Sequence, residues 1–182
     1  MQTLRVASIG LALLLVGGCA NGDDTLQATA PSAVRMAVAE GSLSAAAPVQ
    51  TTGHFDAIVD FSTVTLTPRG ENCLLQVDGR LVFTGTIVGT ATGHTSALEF
   101  APCDQVALHP PGTFPDVFRS VATFDGTIAG LPAHSDLLYM GRVQVGGAID
   151  GRLIFSKGVA GELDVNSIVA VGGTYSGSLV VR

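Results

Sequence analysis

Two histidines occupy matching places in two similar stretches of the chain. FTGTIVGTATGHTSALEF (83–100) and FDGTIAGLPAHSDLLY (124–139) share the pattern F-x-G-T-I-x-G, and His94 and His134 follow it at nearly equal distances. Interpreted as a structural repeat, each copy is a strand, a glycine-rich turn and a return strand that starts at the histidine. Both imidazoles would then point into one opening, where they suit general-base catalysis or ligand binding. The alternative is a pair of turn-flanking histidines bonded to backbone or water.

Two carboxylates are the candidates for an inward position among apolar neighbours. These are Asp136, which closely follows His134, and Glu162 in the segment GEL. Burial would raise the pKa of either carboxyl and allow it to act as an acid catalyst, and a solvated position at the rim is the other interpretation. The four histidines lie in separate segments without H-x-H or H-x-x-x-H spacing, so the sequence predicts neither a metal site nor a cofactor.

Period-two alternation predicts the strands that must position these side chains. In the first strand Phe55, Ala57, Val59 and Phe61 share one face, with polar residues between them. Asp78-Gly79 predicts a hairpin turn. Further strands are predicted at about 80–91, 94–100, 117–129, 133–145, 147–156, 160–170 and 173–182. The inward positions of these strands are expected to include Leu81, Phe83, Ile87, Leu98, Phe100, Phe118, Phe124, Ile128, Leu138, Val145, Ile149, Leu153, Phe155, Leu179 and Val181.

The predicted elements favour an all-β domain, because no segment shows a helical stripe and only 13% of residues are charged. A closed antiparallel barrel removes every sheet edge, whereas a sandwich only shortens its edges, so we expect a single antiparallel β-barrel of about eight strands. Such a barrel is filled by side chains or holds one small ligand. The irregular connection 101–117 contains four prolines and is typical of a binding loop or lid.

The first fifty residues predict export and a lipid anchor. Residues 6–16 form an apolar stretch of secretory type, too short to span a bilayer. The following VGGC resembles the lipobox of bacterial lipoproteins, which implies cleavage before Cys19 and lipid on its sulfur; an ordinary signal peptide with an incidental cysteine is the alternative. We therefore expect a signal peptide over 1–18, a lipidated tether over 19–51 and the barrel over 52–182.

Export also predicts the redox state of the other two cysteines. In an oxidising compartment Cys73 and Cys103 form an even pair, so a disulfide between them is expected. The net charge of −6 offers no basic patch to bind phosphates, which argues against a nucleic-acid partner.

The order of several motifs adds a family resemblance. The stretches 83–100 and 124–155, then GVAGELDV (158–165) and GGTYSGSLVV (172–181), resemble an uncharacterised bacterial family with allene-oxide-cyclase-like, or calycin-like, β-barrels. That group resembles plant cyclases that bind an apolar fatty-acid epoxide and bacterial cyclases that fold polyketide chains. The resemblance implies a cavity suited to an apolar ligand, and none of the cyclases' catalytic residues can be placed on this chain.

Three functions remain open from the sequence. The first is a noncatalytic, membrane-anchored, extracytoplasmic lipoprotein whose barrel binds an apolar small molecule or a partner. The second is a cofactor-independent cyclase or isomerase acting on an apolar substrate, assisted by His94, His134 or Glu162. The third is a structural envelope module with a filled barrel.

Overall fold

The barrel predicted from the sequence is confirmed. The computed structural model describes residues 47–182. Within them the strands are β1 (Val49–Arg69), β2 (Asn72–Gly85), β3 (Ile87–Glu99), β4 (Asp116–Ile128), β5 (Leu131–Val143), β6 (Ala148–Ser156), β7 (Val159–Ile168) and β8 (Gly172–Val181), and a short helix α1 (Cys103–Leu108) separates β3 from β4. Each strand pairs antiparallel with the next, and β8 pairs with β1, so eight strands form a closed barrel.

The barrel starts slightly earlier than predicted, because β1 begins at Val49 rather than at residue 52. The predicted signal peptide (1–18), Cys19 and the tether as far as residue 46 lie outside the described residues. Among residues 47–182, no helix is long and apolar enough to cross a membrane.

Strand β1 closes the barrel because it pairs on both of its sides. Residues 53–60 pair with β2, and residues 49–56 pair with β8. Where both ladders run, at residues 53–56, the backbone of β1 is hydrogen-bonded on both of its sides. Because side chains alternate along each strand, closure also divides the strand residues into an inner and an outer set.

Aromatic and aliphatic side chains fill one half of the interior. The ring centroid of Phe83 lies 5.7 Å from that of Phe55, 5.8 Å from that of Phe124 and 5.7 Å from that of Tyr175. The Tyr175 hydroxyl accepts a hydrogen bond from the amide of Ile87 at 2.9 Å, which fastens the start of β3 to this core. The buried aliphatic residues around the rings include Ile128, Leu153, Val159, Leu163 and Leu179.

The β3–β4 connection covers the other half of the barrel. We call residues 100–115 the cover loop. At its base the Phe100 amide donates a hydrogen bond to the Pro115 carbonyl at 3.0 Å. Near its far end the Gly112 carbonyl accepts a hydrogen bond at 2.9 Å from Gly146 in the β5–β6 turn. These bonds hold the loop against the barrel at two separate places.

A disulfide between Cys73 and Cys103 is the third attachment of the cover loop, and it confirms the predicted pairing. It ties α1 to the beginning of β2. Disulfides persist in oxidising compartments, which agrees with an extracytoplasmic place for this domain.

The predicted hairpin at Asp78-Gly79 is wrong, because β2 runs through both residues. They face a bulge in β1, where the pairing register shifts between Asp60 and Thr65. The Asp78 amide donates to the Thr63 hydroxyl at 2.9 Å, and a Cβ on Gly79 would lie 2.8 Å from the Ile58 carbonyl oxygen. Glycine is therefore required here by the close approach of β1, and the true β1–β2 turn lies at residues 70–71.

The two F-x-G-T-I-x-G copies do not form equivalent hairpins. The first copy turns between Gly85 and Ile87, whereas the second continues along β4 as far as Ile128. The copies pair with each other instead, since Gly89 lies opposite Gly126. The repeat therefore describes two neighbouring strands of one core rather than a duplicated unit.

Several positions expected inside the barrel lie outside it. Phe100 begins the cover loop and Val145, which is 72% exposed, belongs to the β5–β6 turn. Leu98 and Leu138 belong to the outer sets of β3 and β5. Phe61 lies in the bulge of β1 and is 59% exposed.

Replacing both cysteines with alanine should lower the free energy of unfolding by about 3 kcal/mol, as expected when a crosslink that closes a loop of this length is removed. Urea denaturation of the oxidised domain and of Cys73→Ala/Cys103→Ala measures the difference. A reductant should bring the native protein to the midpoint of the variant and leave the variant unchanged. Equal stability of the two oxidised proteins would contradict the prediction.

Candidate functional site

The two histidines singled out in the sequence lie on the outer surface of the barrel, so the expectation that they share an opening is wrong. His94 Nδ1 lies 2.8 Å from Asp78 Oδ1 on the neighbouring strand. His134 Nδ1 lies 2.5 Å from Asp125 Oδ1 in the same kind of cross-strand pair. Both rings are exposed, because their parity along β3 and β5 is that of the outer set.

The two predicted carboxylates also face outward rather than inward. Asp136 Oδ2 lies 2.6 Å from Lys157 Nζ, and Glu162 Oε1 lies 2.8 Å from Arg152 Nη1. The four side chains are between 44% and 80% exposed, and ion pairs at such surface positions contribute little to stability. None of the four residues proposed from the sequence is therefore near the barrel interior.

The interior instead holds a cavity of about 370 Å³ beneath the cover loop. Its floor is formed by Phe55, Leu137 and Tyr139, beyond which the packed half begins. Apolar side chains form most of its walls, among them Val59, Leu66, Leu75, Val77, Leu81, Ala91, Ala97, Phe118, Ala122, Val143, Ile149 and Val169. The volume lies within the range of natural small-molecule sites.

Two carboxyl groups stand side by side in this apolar wall. Glu99 ends β3 and Asp116 begins β4, and the two residues are direct cross-strand partners. The same row continues to Cys73 on one side and to Val143 on the other. Both carboxyls line the cavity, where Glu99 is 7% exposed and Asp116 is 3% exposed.

Neither carboxyl has a compensating base. Among residues 47–182, no salt bridge involves Glu99 or Asp116, and Asp116 Oδ1 is buried without a hydrogen-bond partner. Burial raises the pKa of Glu99 to about 7. Burial, and in second place the charge of Glu99, also raises the pKa of Asp116 to about 7. The pair therefore changes its protonation near neutral pH, unlike ordinary carboxyls.

Four hydroxyl groups of the cavity pair with one another. The Tyr139 hydroxyl and Ser167 Oγ are 2.8 Å apart, and the Thr95 and Ser120 hydroxyls share a hydrogen bond. Burial raises the pKa of Tyr139 to about 12, so this phenol stays protonated at neutral pH. The unmet hydrogen-bonding capacity of the cavity is thus concentrated at the carboxyl pair.

The cover loop supplies the roof of the cavity. Val106, Pro110 and Phe114 line it together with His109. The His109 ring lies edge-on to Phe114, and its Nδ1 is 2.8 Å from the Gln105 carbonyl oxygen. The predicted binding-loop character of this connection fits its position over the cavity.

The cavity can hold an apolar molecule and bind one polar group of it at Glu99 and Asp116. Two carboxyls that titrate near neutrality can accept hydrogen bonds, donate one when protonated, or exchange a proton with an occupant. Within the described part of the chain, no group of three His, Cys, Asp or Glu side chains could hold a metal ion.

Sequence reasoning missed Glu99 and Asp116, although a parity signal for both exists. Asp116 has the same parity as Phe118 and Phe124, which were correctly expected to face inward. Glu99 has the parity of Ile87. Because a break was predicted between residues 91 and 94, the alternation of inward and outward residues was not continued from Ile87 to Glu99. Treating β3 as one strand would have placed Glu99 inside and His94 outside.

Comparison with known proteins adds no relative. No protein-family model matches the chain, and neither a curated protein nor a solved structure matches it.

The free energy of unfolding should fall as the pH rises from about 5 to about 8, because the folded protein holds the protons of both carboxyls more tightly than the unfolded chain does. Below the ordinary carboxyl pKa both states are protonated and stability is complete. Between that pKa and about 7 the unfolded chain ionises first, so stability is lost. One pKa unit corresponds to about 1.4 kcal/mol, and the two groups together should produce a loss of several kcal/mol.

Urea denaturation at the two pH values measures this loss. The variant Glu99→Gln/Asp116→Asn should have a much flatter profile, whereas Glu162→Gln on the outer surface should keep the native slope. If the native protein is as stable at the higher pH as at the lower, burial does not raise the pKa of Glu99 and Asp116 in the folded protein.

Proposed function

We propose that this domain binds an apolar small molecule in the cavity under the cover loop, and that lipid on Cys19 anchors the protein to a membrane outside the cytoplasm. The observation that carries the first part is the partly open, mainly apolar cavity in one half of the barrel. Burying apolar surface of a ligand there contributes about 25 cal/mol for each Å² removed from water. The resemblance to allene-oxide-cyclase-like barrels, which implies an apolar ligand, supports the same proposal.

The contrast between the two halves of the barrel supports binding over a purely structural module. In the packed half Phe83 and Phe124 contact each other at the centre, whereas in the other half Phe118 and Tyr139 pack together at the cavity wall and leave space beside them. Filling that space with side chains would have stabilised the fold, because empty apolar volume reduces stability. An occupant offers the same contacts while it is bound.

Exposed apolar residues at the cavity mouth provide an approach for such a molecule. Phe61 in the β1 bulge and Ile168 at the end of β7 both line the cavity and remain exposed. Exposed apolar side chains that continue into a cavity are typical of ligand entrances.

A cyclase or isomerase is the second candidate, favoured by the buried carboxyl pair. His94, His134, Asp136 and Glu162 face the solvent, so acid–base chemistry in the cavity would depend on Glu99 and Asp116 instead.

A neutral apolar dye, N-phenyl-naphthylamine, should bind with increased fluorescence, and Ala97→Phe should weaken its binding about tenfold or more. Ala97 is 6% exposed and lines the cavity, so a phenyl ring at this position occupies the space of the ligand. Val121→Phe places the same ring on the outer face of β4 and should leave binding unchanged. Equal loss in the two variants, with both folded by circular dichroism, would argue against a cavity site.

Membrane anchoring is tested on the full chain in a bacterial host. Cys19→Ala should move the protein from the membrane fraction to the soluble extracytoplasmic fraction, because loss of the acyl chains removes the apolar anchor. Mass spectrometry of the native protein should show the lipid on the new N-terminal cysteine. If the native protein is soluble and carries no lipid, the anchor is contradicted and the alternative of an ordinary signal peptide with an incidental cysteine remains.

A further inference from the structure

The acidic side chains of the barrel divide into two groups. Those on the outer surface include five that lie beside a basic group, at Asp56, Asp78, Asp125, Asp136 and Glu162. Glu99 and Asp116 are the buried acids of the described chain, and neither of them has such a partner. The two buried carboxyls therefore have no basic partner, although a charge without a partner is least favourable in the barrel interior.

We propose that the cavity recognises an apolar amine, whose protonated nitrogen donates hydrogen bonds to the carboxyls of Glu99 and Asp116 while its apolar part fills the space beneath the cover loop. This inference rests on the proposed function, because it names the chemical class of the molecule that the cavity binds.

The charge of the cavity favours a cation over an anion. Adjacent carboxyls would repel a bound carboxylate or phosphate, whereas an ammonium group would neutralise a buried negative charge. The other titratable or charged residues that line the cavity are Tyr139, which is engaged with Ser167, and the exposed residues His109, Asp78 and Arg80 at the rim. His109 is held by the Gln105 carbonyl and by the edge of Phe114, rather than by either buried carboxyl.

The number of acceptors favours an ammonium over a neutral hydroxyl or carbonyl. A primary ammonium carries three N–H donors, enough to serve both carboxyls, of which Asp116 has an oxygen without a hydrogen-bond partner. A hydroxyl offers one donor and no charge, so it would leave the second carboxyl without a hydrogen-bond donor or a neutralising charge. Hydrogen bonds between charged partners are about twice as strong as neutral ones.

Protonation of the pair then makes binding depend on pH. In the empty cavity, burial holds the pKa of both carboxyls at about 7, so near neutrality they are partly protonated and unable to accept. Binding of an ammonium favours the ionised form and releases protons, so the affinity rises with pH through neutrality. A neutral ligand that accepts a hydrogen bond from a protonated carboxyl would show the opposite trend.

The test compares octylamine, octanol and octanoate as competitors of the neutral dye N-phenyl-naphthylamine on the folded, oxidised domain. At about pH 8 octylamine should bind about tenfold or more tightly than octanol, as expected for a charged hydrogen-bonded pair, and octanoate should bind least. The affinity for octylamine should increase between about pH 6 and about pH 8, whereas that for octanol should not.

Variants assign the preference to the pair. Glu99→Gln/Asp116→Asn should lose the preference for octylamine over octanol and the pH dependence of octylamine binding. The control Glu162→Gln/Asp164→Asn makes the same change in net charge on the outer face of β7 and should keep the preference. Saturable binding of the dye by each variant shows that the cavity is still formed.

The outcomes separate this inference from the proposed function. If the dye and octanol bind but octylamine binds no more tightly than octanol, the amine inference is wrong and the apolar cavity stands. If both double variants lose the preference equally, the attraction comes from the overall negative charge, and the inference is again wrong. If neither the dye nor any octyl compound binds, both the inference and the proposed function are overturned.

Discussion

Closure of the sheet is the constraint on which the rest of this structure depends. Once β1 pairs with both β2 and β8, every strand has a fixed inner and outer face, and no strand can shift by one residue without turning its whole apolar set outward. The same rule that places Phe83 and Phe124 in the core sends His94 and His134 to the surface. It also leaves Glu99 and Asp116 inside, because they share the parity of the core residues on their strands.

The buried acids are a cost that the fold tolerates rather than a source of its stability. An apolar pair at positions 99 and 116 would satisfy the same strand parity without any desolvation of charge. Groups that break the local rules of packing in this way are characteristic of functional sites, where strain or unmet hydrogen bonding is compensated by binding. The position of the pair, at the open half of the barrel and away from the aromatic core, agrees with that interpretation.

The fold could be predicted from the sequence more completely than the site. Alternation and glycine turns are local signals, so the all-β barrel, the approximate strand positions and most inward aromatic residues were accessible. The errors came from glycines: Gly79 and Gly93 look like turn residues but lie within strands, where they allow close approach of a neighbouring strand's backbone. Splitting β3 at Gly93 reversed the phase of the following residues, which placed His94 inside and hid Glu99. The disulfide was predictable because only two cysteines remain once Cys19 is assigned to lipid.

The attachments of the cover loop bear on how fast an occupant could exchange. The loop is fixed at its base, at Cys103 and at Gly112. Gly112 packs so closely against the β5–β6 turn that a Cβ added to it would lie 2.6 Å from the Cα of Gly147. A segment held at three points cannot swing away as a flap on a pair of hinges. A molecule would therefore reach the cavity past the exposed Phe61 and Ile168 at its mouth rather than beneath a lifted cover loop. The cover loop is in that respect a fixed wall of the cavity rather than a movable lid.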